Sequence, residues 1–426
     1  MAEAARPSPN APGARPAATA PDPRQAAKAA TFREVFGDPE FRAIWLAELA
    51  SIAGDQFARV ALTVLVYQRT GSPLLTALTY AATYLPWLIG GLLLSGFADR
   101  YPRRDVMITA DLARLVLVAA MAVPGMPLWS LIVLLFAVTT LNAPFQGARS
   151  ALRAAILPGD RYALGLAISQ ITRQVGIVGG FVAGGVVVAY VGVREALVAD
   201  AATFALSALL LTRVRPRAAP ASIRRSPARE MAAGVKLVFG DPRLRTLMLL
   251  GWLAAFYTIA EALAVPYAAH LRAGVVATGV IFAAGPLGSA LGMSVFSRGV
   301  RPAARLKWMS PMAVGACLVL VACAARPGLI ISLVIFAASG VLAAYQVAAN
   351  AAFVDAAPDT RRGQAYGLAN AGMMLGQGLV YVIAGAAATV ATPALVVACT
   401  GGIGAAGAAC LALKVRRLSL VAGGSR

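Results

Sequence analysis

The stretch Val35–Arg42 reads VFGDPEFR, and Val238–Arg245 reads VFGDPRLR. Both fit Val-Phe-Gly-Asp-Pro-x-[Phe/Leu]-Arg. In each, Gly-Asp-Pro predicts a turn, because proline disfavours helix at the residue before it. Each leader stands just ahead of a long apolar run. A second pair keeps nearly the same offset: LPGDRYALGLA from Leu157 and APDTRRGQAYGLA from Ala357. Pro158 then aligns with Pro358, and Gly165-Leu166-Ala167 with Gly367-Leu368-Ala369. One short match means little, but features aligned on equivalent segments mark an internal repeat. The chain reads as two halves of the same orientation.

Composition says what the halves are made of. Of 426 residues, 59% are hydrophobic and 13% charged, against about 45–50% and about 25% in a soluble domain. One soluble core cannot hide that excess. Apolar runs of about 18–25 residues, the length of a bilayer-crossing helix, recur near 43–67, 74–97, 105–123, 128–148, 163–190, 195–212, 246–268, 276–297, 308–325, 328–352, 365–388 and 393–412. The expected fold is therefore an all-α membrane protein of twelve transmembrane helices in two parallel six-helix halves. Parallel halves related by an axis along the membrane normal are a transporter architecture, with the substrate path between them. The expected segments are a disordered tail (1–30), a first half (31–212), a linker (213–245), a second half (246–415) and a short tail (416–426).

The net charge of +20 is placed by sidedness rather than for nucleic acid. With both termini on one side, that side carries 31 Lys or Arg, nine of them in the linker. The other side carries four: Arg69, Arg194, Arg272 and Arg326. This asymmetry predicts cytoplasmic termini and contact with anionic lipids. Residues 1–30 are rich in Ala, Pro and Arg and cannot bury enough apolar area to order. They lack the apolar stretch of a cleaved signal peptide, so the first span is expected to remain in the mature protein. Cys317, Cys323, Cys399 and Cys410 match neither a metal-ligand spacing nor a disulfide framework; they read as small buried apolar side chains.

The loop between the second and third spans reads SGFADRYPRRDVM from Ser95. It resembles the Gly-x-Leu-Ala-Asp-Arg-x-Gly-Arg-Arg signature of the major facilitator superfamily at Asp99, Arg100, Arg103 and Arg104, and departs from it at Ser95, Phe97 and Pro102. The aromatic residue and Pro before the paired Arg look like the branch of macrolide efflux proteins and the enterobactin exporter. SIAGDQFARVAL, ITADLARLVL and ALVADAATFALSALLL resemble that branch too, so the likeness covers about residues 31–415. It implies that Asp99 latches against the eleventh span in an outward-open state. By position alone, Arg100, Arg103 and Arg104 meet the negative end of the second helix and anionic headgroups. In the fifth span, Gly176, Gly179, Gly180, Gly184 and Gly185 form a small-residue stripe for close helix approach. Gly179 and Gly180 match the end of the family antiporters' Gly-Pro-x-x-Gly-Gly; Val175 and Gly176 replace its Gly-Pro.

An ionisable residue at mid-membrane costs at least about 2.5 kcal/mol and is a functional candidate by default. Glu48, Asp55 and Arg59 share one face of the first span, and Asp55 and Arg59, four apart, are expected to pair. Arg173 in the fifth span needs an acid, with Asp55 or Glu48 available. Glu261 is the acid of the seventh span. These five are the expected proton- and substrate-binding residues, and Asp99, Arg100, Arg103 and Arg104 the gating motif. Asp111 and Arg114, three apart, read as a structural pair, and Asp200 as structural. His270, near the outer end of the seventh span, suits a snorkelling or loop role. Asn142, Gln170, Gln346 and Asn350 suit substrate hydrogen bonds or helix joining.

No Walker loop, metal-ligand set or nucleophile constellation stands in the chain, so the expectation is no enzyme, no cofactor and no metal. The reading is a monomeric secondary transporter of the cytoplasmic membrane that exports a small organic molecule by proton-coupled alternating access. Export rests on the branch resemblance. The alternatives are an importer or uniporter of the same fold, or a non-transporting receptor or scaffold.

Overall fold

Pro39 and Pro242 open long helices, and the Asp before each caps it. The Asp38 carboxylate accepts from the amides of Glu40 (2.8 Å) and Phe41 (3.3 Å). Asp241 does the same for Arg243 (2.7 Å) and Leu244 (3.4 Å). Proline at the first helical position loses no hydrogen bond and is preset for helix. The repeated leader is thus a helix stop, an Asp cap and a helix start, a sharper device than the turn expected.

The computed structural model describes residues 31–86, 100–217 and 227–423. The expected tail 1–30 and Asp99 lie outside them. In chain order the helices are α1 (Phe32–Gly37), α2 (Pro39–Thr70), α3 (Pro73–Ala81), α4 (Arg103–Met121), α5 (Leu128–Ile156), α6 (Asp160–Tyr190) and α7 (Val193–Leu211). There follow α8 (Pro227–Gly240), α9 (Pro242–Trp252), α10 (Ala254–Tyr257), α11 (Ile259–Ala262), α12 (Ala264–His270) and α13 (Gly274–Gly299). The chain ends with α14 (Pro302–Leu318, extended by a 3-10 turn), α15 (Leu329–Leu342), α16 (Tyr345–Ala356), α17 (Arg362–Ala387) and α18 (Pro393–Gly423). The described residues hold no strand. They include 9 helical stretches long and apolar enough to cross a membrane. Helices α4 and α7, 19 residues each, are shorter than these and carry five and three charged residues. This is an all-α, multi-pass membrane protein. Side chains such as Ile330 and Val295, 77% and 70% exposed, suit lipid rather than water. So do Cys399 and Cys410, which are exposed and not buried as expected; Cys317 and Cys323 are buried.

The segments α1–α7 pack as one bundle, with α2 against α6 and α7, and α4 against α5 and α7. The segments α9–α18 pack as a second, in which α13 meets α15 and α14 meets α18. The bundles meet through α6 against α13 and α3 against α17. Their cores differ at the two ends. At the end bearing the basic loops each bundle keeps a core of its own, one around Phe41, Met107 and Leu152, the other around Leu244, Met309 and Tyr345. At the opposite end a single core runs through both, joining Leu62, Tyr80 and Phe181 to Ile259, Phe282 and Tyr381.

Glycines set that junction. A side chain at Gly185 of α6 would sit 2.8 Å from the Cα of Gly279 in α13. Gly176 and Gly180 let α6 lie on α2, where a side chain would come within 2.9 Å of Ile52 and 3.0 Å of Gln56. The expected stripe is therefore used twice, within a bundle and between bundles. Gly179 is the exception, with nothing near it.

Candidate functional site

Between the bundles lies a cavity of about 560 Å³. The unbroken stretches of α6 and α13 form part of its wall. The seventh apolar run is different: it is divided into α9–α12 by a turn at Leu253, which keeps near-helical angles, and by non-helical residues at Thr258 (φ −88°, ψ 7°) and Leu263 (φ −104°, ψ 10°). Irregular backbone at membrane depth is tolerated where it lines a cavity, and Glu261 stands on the short α11 between the breaks.

The cavity has an aromatic roof on the side where the two cores merge. Phe181 of α6 stacks on Phe282 of α13 with centroids 5.0 Å apart. Tyr80 of α3 packs on Phe282 (5.3 Å) and on Tyr381 of α17 (5.6 Å). Tyr84 completes the layer edge-on to Tyr381 at 5.3 Å. Polar bonds stitch it: the Tyr80 hydroxyl donates to Glu261 at 2.6 Å and the Tyr84 hydroxyl at 3.4 Å. Tyr381 and Thr258 share a hydrogen bond at 2.7 Å. Every layer member touches a residue of the other bundle, directly or through one neighbour. Toward the basic end, where the bundles keep separate cores, the cavity lining includes Leu247, Met248 and Phe353.

Three charged residues line this cavity: Arg59, Arg173 and Glu261. Arg59 donates to Gln56 Oε1 at 3.2 Å and lies over the Tyr84 ring at 5.8 Å. The expected Asp55–Arg59 pair is absent among the described residues: Gln56, three residues back, and Tyr84 take the guanidinium toward the cavity, while Asp55 turns inward. Arg173 is exposed to the cavity and has no acid partner among the described residues, contrary to expectation. Gln170 and Asn350 line the same cavity. Gln346 does too, but it is engaged with the Gly251 carbonyl at 2.9 Å, a helix-joining role.

Glu48 and Asp55 do not reach the cavity. Glu48 is 2% exposed and holds two arginines of α5, Arg149 at 3.1 Å and Arg153 at 2.9 Å, with Ser169 of α6 donating at 3.1 Å. Those arginines read in sequence as loop cations. They lie inside α5. Asp55 borders a small cavity of about 30 Å³ with Arg114, Asp200 and Asn142, and Arg59 and Thr83 line both this cavity and the larger one. Asp111 and Arg114 form the expected buried pair, Ser207 donating to Asp111 at 2.6 Å. Arg114 lies between Phe145 (4.4 Å) and Phe204 (4.6 Å). Of the motif after the second span, Arg100 is exposed. Arg103 and Arg104 open α4 instead of closing the second helix, and they bond the carbonyls of Ala151 (3.0 Å) and Val214 (3.3 Å). His270 ends α12. The roof tyrosines went unread in sequence. Their signal was Tyr80 and Tyr84 four apart in an apolar run, since a membrane-buried hydroxyl needs a partner.

The sequence matches the Major Facilitator Superfamily over residues 44–336. The chain belongs to that superfamily. Among curated superfamily relatives, the enterobactin exporter EntS of Shigella dysenteriae is 27% identical over 270 residues, 60% of this chain and 62% of that protein. The enterobactin exporter EntS of Citrobacter koseri is 28% identical over 275 residues, with the same shares covered. The chain thus aligns with less than two thirds of these exporters' length. Among solved structures, a POT family transporter in complex with a thioalcohol-conjugated peptide superposes with a TM-score of 0.71 at 12% identity, covering 88% of this chain and 96% of that one. The xylose transporter XylE from E. coli, in a partially occluded inward-open conformation, gives 0.62 at 13%, covering 87% and 96%. Likeness at such identities establishes the shared superfamily fold.

Proposed function

We propose that this chain is a monomeric exporter of a small organic molecule in the cytoplasmic membrane, working by proton-coupled alternating access. Its twelve spans form two six-helix halves, 31–212 and 246–415, joined by the linker 213–245. Both termini face the cytoplasm, where the basic loops meet anionic lipid, and the cavity opens to that side. The observation that carries this is the asymmetry of the core: merged across both bundles behind the aromatic roof, separate at the basic end. A molecule entering from the cytoplasm would meet a closed roof, and release requires the roof to part. Export is supported by the name of the exporters that the chain resembles over part of their length. Glu261 is the best-placed proton carrier. It lines the cavity and accepts a hydrogen bond from the opposite bundle, so its charge bears on whether the bundles stay joined. Asp55, inside the first bundle, is the second candidate; Glu48 serves as a clamp.

Uptake into inverted membrane vesicles tests the reading, with a panel of dyes, antibiotics and siderophores and with or without a proton gradient. The expected result is concentration of at least one compound that collapses with the gradient, and that Glu261→Gln removes. Accumulation only in right-side-out vesicles would make the protein an importer. Accumulation indifferent to the gradient would remove proton coupling.

A further inference from the structure

The cavity holds two cations and one acid, and only the acid is well satisfied. Glu261 accepts two tyrosine hydroxyls, the shorter at 2.6 Å. Arg59 has one amide and one ring face, and Arg173 has no hydrogen bond or ion pair among the described residues. Asp55 forms no ion pair with either among the described residues, although it shares the smaller cavity with Arg59. Two guanidiniums thus line one cavity, with Arg173 exposed to it and in no ion pair among the described residues, and both are available to an anion that enters. Glu261 leaves the lining with a net charge of +1, which suits one negative group rather than two. The walls below are apolar and adaptable: Trp252 with Met248, Met293, Met373 and Met374. Methionine conforms to varied shapes and favours aromatic faces. A cavity of about 560 Å³ is of drug-binding size.

We propose that the transported molecule is an amphipathic organic monoanion. Its carboxylate, sulfonate or phosphate ester sits between Arg59 and Arg173, and its planar apolar body lies against Trp252 and the methionines. The guanidinium fork matches such oxyanions in two-point geometry. The same charges work against organic cations. This deepens the export reading by naming the substrate class of the same cavity.

The test is equilibrium binding to the full chain in nanodiscs of zwitterionic phosphatidylcholine, with empty nanodiscs subtracted. The probes are 1-pyrenesulfonate and 1-pyrenemethylammonium, alike in shape and opposite in charge. One or two charge-assisted hydrogen bonds predict a preference of about tenfold for the sulfonate. Arg173→Gln should abolish most of that preference, and Arg173→Lys should keep part of it. Equal binding of the two probes, a preference for the ammonium, or an unchanged preference in Arg173→Gln would overturn the proposal. If Arg173→Gln does not fold, the wild-type protein decides: 2-naphthalenesulfonate should displace bound pyrenesulfonate and 2-naphthylmethylammonium should not, and the reverse would overturn the proposal. Binding is read without any gradient, so failure here leaves export standing, and failure of gradient-driven uptake leaves this preference intact.

Discussion

Glu48, Asp55 and Arg59 illustrate what spacing in one helix can and cannot say. Their intervals of seven and four place them on one face, and that much was legible. Which neighbour each side chain finds depends on helices that meet α2 from different sides. Glu48 meets the arginines of α5, Asp55 meets α4 and α7, and Arg59 points into the cavity. Arg149 and Arg153 were missed because a charge near the end of an apolar run looks like loop. Here the helix continues to Ile156 and buries both. The consequence is testable. Glu48→Gln leaves two buried arginines without their counterion, which typically costs about 3–5 kcal/mol. The expected outcome is a clear fall in melting temperature in detergent, partly recovered when Glu48→Met is combined with Arg149→Met and Arg153→Met, since an apolar replacement of a whole buried ion cluster is often tolerated. An unchanged melting temperature in Glu48→Gln would mean that the clamp carries no stability.

At the level of whole helices the repeat was the readable part. The Asp-Pro starts of α2 and α9 and the breaks at Pro158 and Pro358 stand where the aligned motifs put them. The break at Leu263 had a signal that went unread, Pro266, which cannot donate to the Ala262 carbonyl; the break at Thr258 was not readable by composition. At Thr258 the side-chain hydroxyl is held between the Ala254 carbonyl and Tyr381, a tertiary partner. The glycine stripe was legible as a packing device, but its second use, at Gly185 against Gly279, needs the other bundle. A side chain on Gly279 would come within 2.6 Å of the Phe181 carbonyl, and backbone cannot yield as a flexible side chain can. Gly279→Val should therefore wedge α6 and α13 apart. In a protein whose four cysteines are replaced, a single Thr83→Cys at the roof should then react faster with an impermeant maleimide applied from outside. Equal rates with and without Gly279→Val would show that this contact does not hold the outer end shut.

For the molecule as a whole, the question is what keeps one end joined while the other stays apart. Between the bundles the polar bond with the clearest geometry is Tyr80 to Glu261, at 2.6 Å, set in a layer of rings. A carboxylate accepts such a bond more strongly than a neutral acid does. The state closed at the roof should therefore be favoured while Glu261 is charged and weakened when it is neutralised. Conformational change requires a difference of this kind between two states, and a shift of about 1.4 kcal/mol moves the populations tenfold. Glu261→Gln combined with Tyr80→Phe removes the charge and the donor while keeping volume, so the halves should rock toward an open roof and a closed basic end. Spin labels at Arg161→Cys and Arg362→Cys, one on each bundle at that basic end, read the change as a distance distribution. The expected outcome is a shift from the long component to a shorter one in the double variant, with Tyr80→Phe alone intermediate. An identical distribution in all three proteins would assign closure of the roof to ring packing and the glycine crossing, and would leave Glu261 without a conformational role.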